Sequence, residues 1–335
     1  MTPTLHPIQL KSWTIPCNVI AAPLAGYTSL ATRLAYRHNG SQRDRQILCF
    51  AEMVSAEGLY YSFDKSAALL ATNEADRPFG IQIFGATQEK IKRAFDKIKD
   101  YPFDVIDLNC GCSIKKVLKS FSGAYLLKSP DEIYRILSYL VSATDKPVTL
   151  KIRSGYNREN VNYLEVLAAA EAAGAQMITL HPRTCMQLFN GKADWSQIAD
   201  LKAHAHIPVI GNGDIFSVDD ALTMMEQTGC DGVMLARGLI DDPFLMEEVC
   251  CRLEGSEYQE PLLSERVNAM LSHLQGFIAD FGELPGLREF RKFTKGYLKG
   301  IPDIAKLRYN LNFAETYEEF ERLVREFIRT VFSEN

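Results

Sequence analysis

The chain has 335 residues, 47% of them hydrophobic and 24% charged, with a formal net charge of -5. That length exceeds the size at which one hydrophobic core usually stops growing, so the sequence predicts one large α/β domain or a domain with an appendage. The acidic balance argues against indiscriminate nucleic-acid binding, MTPTLHPIQLKSWTIP has neither the basic start nor the apolar run of an export signal, and no stretch approaches the roughly 18 apolar residues of a membrane span, so a cytoplasmic protein without a membrane partner is expected.

Taken in order, short apolar runs recur: VIAAP from 19, ILCFAEM from 47, FGIQIF from 79, DVIDLN from 104, PVTLKI from 147, QMITLH from 176, IPVIGN from 207 and DGVMLA from 231. Most are bounded by turn formers, and the intervals carry helical periodicity, as in TQEKIKRAFDKIKD, SPDEIYRILSYLVSA, NYLEVLAAAEAAG and SVDDALTMMEQTG. Strands buried on both faces and alternating with helices predict a parallel sheet, and eight such units fit a (β/α)8 TIM barrel over residues 1–245. After Ala236 no strand candidate follows. Residues 258–335 read as a C-terminal all-helical domain, with LSERVNAMLSHLQGFIADFG, LREFRKFTKGYLKG and TYEEFERLVREFIRTVF as its helices.

In such barrels the site forms at the C-terminal ends of the strands. The residues there are Pro23, Leu24 and Ala25; Glu52 and Met53; Gln82; Asn109 with Cys112; Lys151 and Arg153; His181 and Arg183; Asn212, Gly213 and Asp214; and Ala236, Arg237 and Gly238. The seventh and eighth strands end in IGNGDIFS and LARGL, each glycine-containing and each leading into a helix. Together they favour a phosphate-bearing cofactor or substrate, with Arg237 as an added cation. Lys151 closes an apolar strand and calls for an anionic or strongly accepting partner, an ion pair with Glu52 being the plain alternative. His181 sits in HPRT at a strand end, a placement that favours function over a satisfied core histidine.

The eight cysteines include no CxxC pair, and Cys110 and Cys112 are separated only by Gly111. No histidine stands at metal spacing from them, so no metal site is expected, and a redox pair would normally be CxxC. One thiol at the barrel mouth remains as nucleophile or proton donor. Two windows are basic: residues 112–128 hold Lys115, Lys116, Lys119 and Lys128 and no acid, and residues 286–310 hold seven cations against Glu289 and Asp303. Solvated faces are the ordinary explanation of such windows unless they flank a site.

The motifs APLAG (22–26), EMVS (52–55), QIFG (82–85), DLNCGC (107–112), LKIRSG (150–155), HPRT with GKADW (181–195), NGDI (212–215) and ARG (236–238) together resemble the tRNA-dihydrouridine synthase family, nearest its bacterial B-type branch. REFRKFTKGYLKGIPDIAKLR resembles that family's RNA-binding helical domain. The resemblance implies an FMN-dependent barrel that reduces uridines of tRNA to 5,6-dihydrouridine with NADPH, hydride passing from N5 of FMN to C6 and a proton from Cys112 to C5. It implies FMN contacts from Pro23, Leu24, Ala25, Gln82, Lys151, His181, Asn212, Gly213, Asp214, Ala236 and Arg237. It further implies substrate contacts from Asn109 and Arg183. Lys115, Lys116, Arg291 and Lys295 become candidate RNA contacts, and a monomer is the family's habit. Because lysines near a thiol would lower its pKa towards the thiolate, Lys115 and Lys116 are expected to point outward. Two departures stand out: Ser113 where the family usually has proline, and Cys185 where it often has a basic residue. The same composition leaves open a ribosomal RNA substrate, a reductase of free pyrimidines resembling dihydroorotate dehydrogenase, or a non-catalytic RNA-binding protein.

Overall fold

The computed structural model describes residues 2–39 and 45–333. An N-terminal hairpin of β1 (Ile8–Gln9) and β2 (Thr14–Ile15) precedes β3 (Val19–Ala21), β4 (Cys49–Phe50), β5 (Val54–Ser55), β6 (Phe79–Phe84), β7 (Val105–Cys110), β8 (Val148–Arg153), β9 (Met177–His181), β10 (Val209–Asn212) and β11 (Gly232–Leu235). β3 and β4 pair in parallel, as do β4 and β6, and the parallel ladder continues through β7 to β11, which returns to β3. The eight strand candidates close into a (β/α)8 barrel, with β5 a short extra strand on β6.

The strands are nearly all buried, as expected where helices cover the outer face. The helix Gln88–Ile98 shows how that cover is built: Thr87 caps its start, and Ile91, Ala94, Phe95 and Ile98 form one apolar stripe towards the sheet. Inside the barrel, side chains alternate with those facing the helices. Ile20, Phe50, Val105, Met177, Ile210 and Met234 belong to a separate apolar cluster, which Ile8 and Ile15 of the hairpin join at the N-terminal end. Gly80 makes room for it, since a Cβ there would lie 2.4 Å from the Phe50 ring.

Helix Leu245–Glu254 packs into the barrel's outer core, and the chain then crosses to the helix Leu263–Phe281. A further cluster forms around Phe277, Phe290, Phe293, Tyr297 and Phe320. The stretch LREFRKFTKGYLKG is not one helix: Glu283–Phe290 is helical, the chain tightens to a 3-10 turn at Arg291–Phe293, and a single turn follows at Thr294–Tyr297. Phe290, Phe293 and Tyr297, spaced i, i+3 and i+7, keep one face across that break and enter the same core, with the cations on the other side. Among the described residues no helix is long and apolar enough to cross a membrane.

Candidate active site

The ends of β3, β6, β7, β8, β9, β10 and β11 open into a cavity of about 750 Å³, within the range of small-molecule and cofactor sites. Pro23, Leu24, Ala25, Gln82, Asn109, Cys112, Lys151, His181, Asn212, Gly213, Asp214, Ala236 and Arg237 all line it. The structure thus gathers most of the strand-end ring into one space. Arg183 lies outside that lining: it is buried and forms a two-pronged ion pair with Asp214, at 2.8 and 2.6 Å. Lys115 and Lys116 are exposed on the short helix Lys115–Lys119, outside the cavity.

Lys151 is half-buried at the cavity, and its Nζ donates to Oδ1 of Asn212 at 2.7 Å. Asn212 is held in turn by donating to the Met234 carbonyl at 2.8 Å. Glu52, the alternative partner, instead accepts from the Gly26 N–H. Burial, with Arg153 adding to it and Asp107 opposing, lowers the Lys151 pKa to about 7. An ammonium with one acceptor in such a place favours an anionic or strongly accepting neighbour.

His181 is kept well below its ordinary pKa by burial and then by Lys151, Arg153, Arg183 and Arg237, so the ring is neutral. Arg183 Nη1 lies 3.1 Å from its Nε2. A guanidinium only donates, so Nε2 is the acceptor and the proton is assigned to Nδ1. Gly213 has φ +113°, and a Cβ there would lie 2.6 Å from the His181 ring. Glycine meets both demands at once. Burial would raise Asp214, but Arg183, the Ala193 N–H and Arg237 together hold it below the usual carboxylate range.

Cys112 is partly exposed, whereas the other seven cysteines are buried. Burial pushes its thiol up, against smaller opposing effects from the Ile114 backbone and Arg153. The protonated form therefore dominates at neutral pH. Its loop is fixed on two sides. Asn109 Oδ1 accepts from the Gly111 and Cys112 N–H groups at 3.0 and 2.9 Å, and the Ala124 N–H donates to the Cys112 carbonyl at 3.0 Å. Cys110 is fully buried.

Three residues outside the implied cofactor and substrate contacts shape the site, one of them, Arg153, already in the strand-end ring. Arg153 donates to the carbonyls of Gly111, Thr184 and Leu188 at 2.9, 3.0 and 2.6 Å, tying the loop after β7 to the loop after β9. Phe189 lies beneath Arg237 at 4.4 Å from ring centroid to guanidinium, a cation–π contact at the rim. Asp107 lies below the floor and accepts from Gln82 and Thr149. Its signal was the alternation of β7, in which Val105, Asp107 and Asn109 fall on one face.

The second lobe meets this mouth directly. Lys292 Nζ donates to the Gly26 carbonyl and, at 2.8 Å, to Glu289, and it lies 4.9 Å from the Tyr27 ring. Beside it is a cavity of about 570 Å³ lined by Arg288, Arg291, Lys292, Arg308 and Tyr309 among others. Lys295 is exposed outside that cavity. Among the described residues no cluster of histidine, cysteine or carboxylate side chains has the makings of a metal site.

Fold and cavity define a (β/α)8 barrel enzyme with a cationic pocket at its C-terminal face. The family described as dihydrouridine synthase (Dus) matches residues 19–332, and the chain belongs to that family of oxidoreductases. Similar proteins include a probable tRNA-dihydrouridine synthase 1 of Synechocystis sp., 34% identical over 97% of this chain and 90% of that one. Another is a tRNA-dihydrouridine synthase B of Pasteurella multocida, 34% identical over 88% and 87% of the two chains. Among solved structures, one titled as a variant of NCR from Zymomonas mobilis aligns with TM-score 0.52 at 13% identity, covering 79% of this chain and 95% of its own. That last likeness concerns the barrel fold.

Proposed function

We propose that this protein reduces uridines in transfer RNA to 5,6-dihydrouridine, holding FMN at the barrel mouth and drawing electrons from NADPH. The observation that carries the reading is a partly exposed thiol, pushed up in pKa by burial, in the same cavity as a half-buried lysine whose Nζ meets Asn212. The pocket suits FMN: Ala22, Pro23 and Leu24 offer an apolar shelf, Lys151 faces the space with one acceptor, and the loops at Gly213 and Ala236 bring backbone and Arg237 to a phosphate. Bound FMN, reduced by NADPH, supplies the hydride that adds to C6 of the uracil ring.

The chain's own groups do the rest. Lys151 offsets negative charge on the cofactor, an electrostatic role that gains strength in a partly water-excluded pocket. Cys112 supplies the proton to C5, and its raised pKa keeps that proton in place at neutral pH. A uridine in folded RNA must leave its stack to reach this depth. Exposed Lys115 and Lys116 on one side, and Arg291, Lys295 and their neighbours on the helical lobe, are positioned to grip the flanking phosphates.

The test is dihydrouridine formation in tRNA from a strain lacking the protein, with free uracil and ribosomal RNA as competing substrates. Cys112→Ala should retain FMN and accept electrons from NADPH while product formation falls by roughly 10²- to 10⁴-fold, the usual share of a general acid. Undiminished product would remove Cys112 from this role, and reduction of free pyrimidines alone would replace RNA as the substrate.

A further inference from the structure

From the cavity lining to a point beneath its floor runs a chain of hydrogen bonds with one direction. The Cys112 N–H donates to Oδ1 of Asn109 at 2.9 Å, Asn109 Nδ2 to Oε1 of Gln82 at 2.6 Å, and Gln82 Nε2 to Oδ2 of Asp107 at 2.7 Å. Thr149 Oγ1 closes the far side, donating to Oδ1 of Asp107 at 2.6 Å. Asp107, Gln82 and Thr149 stand level on three adjacent strands, since Gln82 pairs with Asp107 and Asp107 with Thr149 in the parallel ladder. All four side chains are buried.

We propose that Asp107 is a positioning residue: as the acceptor at the end of this relay, it sets which way the Gln82 and Asn109 carboxamides face, and so holds the Cys112 loop at the cavity. The physical reason is the asymmetry of a carboxylate. Each carboxamide is both donor and acceptor and can turn over with little change of shape. An ionised carboxylate only accepts, so Gln82 must present its NH2 to Asp107 and its oxygen to Asn109. Asn109 must then present its NH2 to Gln82, which leaves its oxygen for the two loop N–H groups. Reversing either amide would set donor against donor or acceptor against acceptor in a dry interior, where each unmade bond costs about 1–3 kcal/mol. Burial raises the Asp107 pKa to about 6, while the hydrogen bonds from Thr149 and Gln82 and the charge of Lys151, two residues beyond Thr149 on β8, favour its ionised form. An acid with no job in the relay would more simply be replaced by a leucine of similar volume.

Two near-isosteric variants separate positioning from space filling. Asp107→Asn keeps an acceptor for Gln82, with its NH2 turned to the Thr149 oxygen; Asp107→Leu keeps only the volume. Amide hydrogen exchange of the segment 108–114 in the purified protein, measured with and without added FMN, reads the Gly111 and Cys112 N–H bonds without RNA or NADPH. Its outcome is therefore independent of the reaction proposed above. Exchange there should quicken by about tenfold in Asp107→Leu, the order expected for one lost buried bond, and return close to the parent rate in Asp107→Asn. Gln82→Met, which cuts the relay at its middle, should match the leucine variant. If the proposed reaction also holds, kcat for dihydrouridine should fall in the leucine variant with KM for RNA unchanged. Equal protection of 108–114 in all three variants would overturn the relay, as would better protection in Asp107→Leu than in Asp107→Asn.

Discussion

Lys151 carries a charge that the folded chain alone does little to satisfy, and the pH dependence of folding should show it. Its pKa is about 7 in the folded protein against an ordinary 10.5. Between those values the unfolded chain binds the extra proton, so this residue makes stability rise with pH across the window, and below it the whole penalty is present. In flavin-free protein, Lys151→Met should therefore be more stable than the parent at pH 6.5, by an amount on the order of a few kcal/mol, and the advantage should shrink as pH approaches 9.5. Urea unfolding at both pH values measures it. The same variant should hold FMN less well, because the residue that strains the empty pocket is the one proposed to meet the cofactor's charge. A Met variant less stable than the parent at pH 6.5 would mean that Lys151 is already satisfied by Asn212.

The loops after β7 and β9 are joined by a single guanidinium. Arg153 serves three carbonyls from two loops and is itself largely buried, which lowers its pKa to about 10 but leaves it charged. A lysine has the charge without the planar fork. Arg153→Lys should therefore behave more like Arg153→Met than like the parent, each losing about 1–3 kcal/mol of stability and exposing residues 184–190 to faster hydrogen exchange. Full protection in the lysine variant would show that charge alone holds the loops. This clamp also marks where sequence reading stopped. The strand-end ring was legible because strands buried on both faces appear as apolar runs, and the residues closing them, from Pro23 to Arg237, come together in the cavity. Asp107 was hidden two residues before such an end, although period-two alternation places it below Asn109. Phe189 and the carbonyl contacts of Arg153 depend on irregular backbone, with Leu188 at φ +55°, and no periodicity encodes that path.

At the scale of the whole molecule, the two lobes share a buried polar joint. Asn39 Nδ2 donates to the Tyr297 hydroxyl at 2.9 Å, that hydroxyl lies 2.9 Å from His273 Nδ1, and His273 Nε2 lies 3.1 Å from Oγ1 of Thr32 on the helix Leu30–His38. The change from alternating strands and helices to helices alone was legible in the sequence, but this joint was not, since its members stand more than 200 residues apart. Burial holds His273 at a pKa of about 3, so it is neutral in the folded protein, whereas the unfolded chain protonates it near 6.5. The native state thus binds fewer protons between pH 3 and 6.5, and the stability His273 contributes is complete above 6.5 and declines as pH falls through that range. His273→Gln should be less stable than the parent at pH 7.5, because it loses the ring packing against Phe277, Phe290 and Phe293. Glutamine does not titrate, so the gap between parent and variant should narrow by about 2 kcal/mol at pH 5.0. Taking the difference between the two proteins at each pH cancels the carboxylates they share. Urea midpoints followed by circular dichroism give the comparison, and a gap of equal size at both pH values would mean that the imidazole reaches solvent and the lobes part before the chain unfolds.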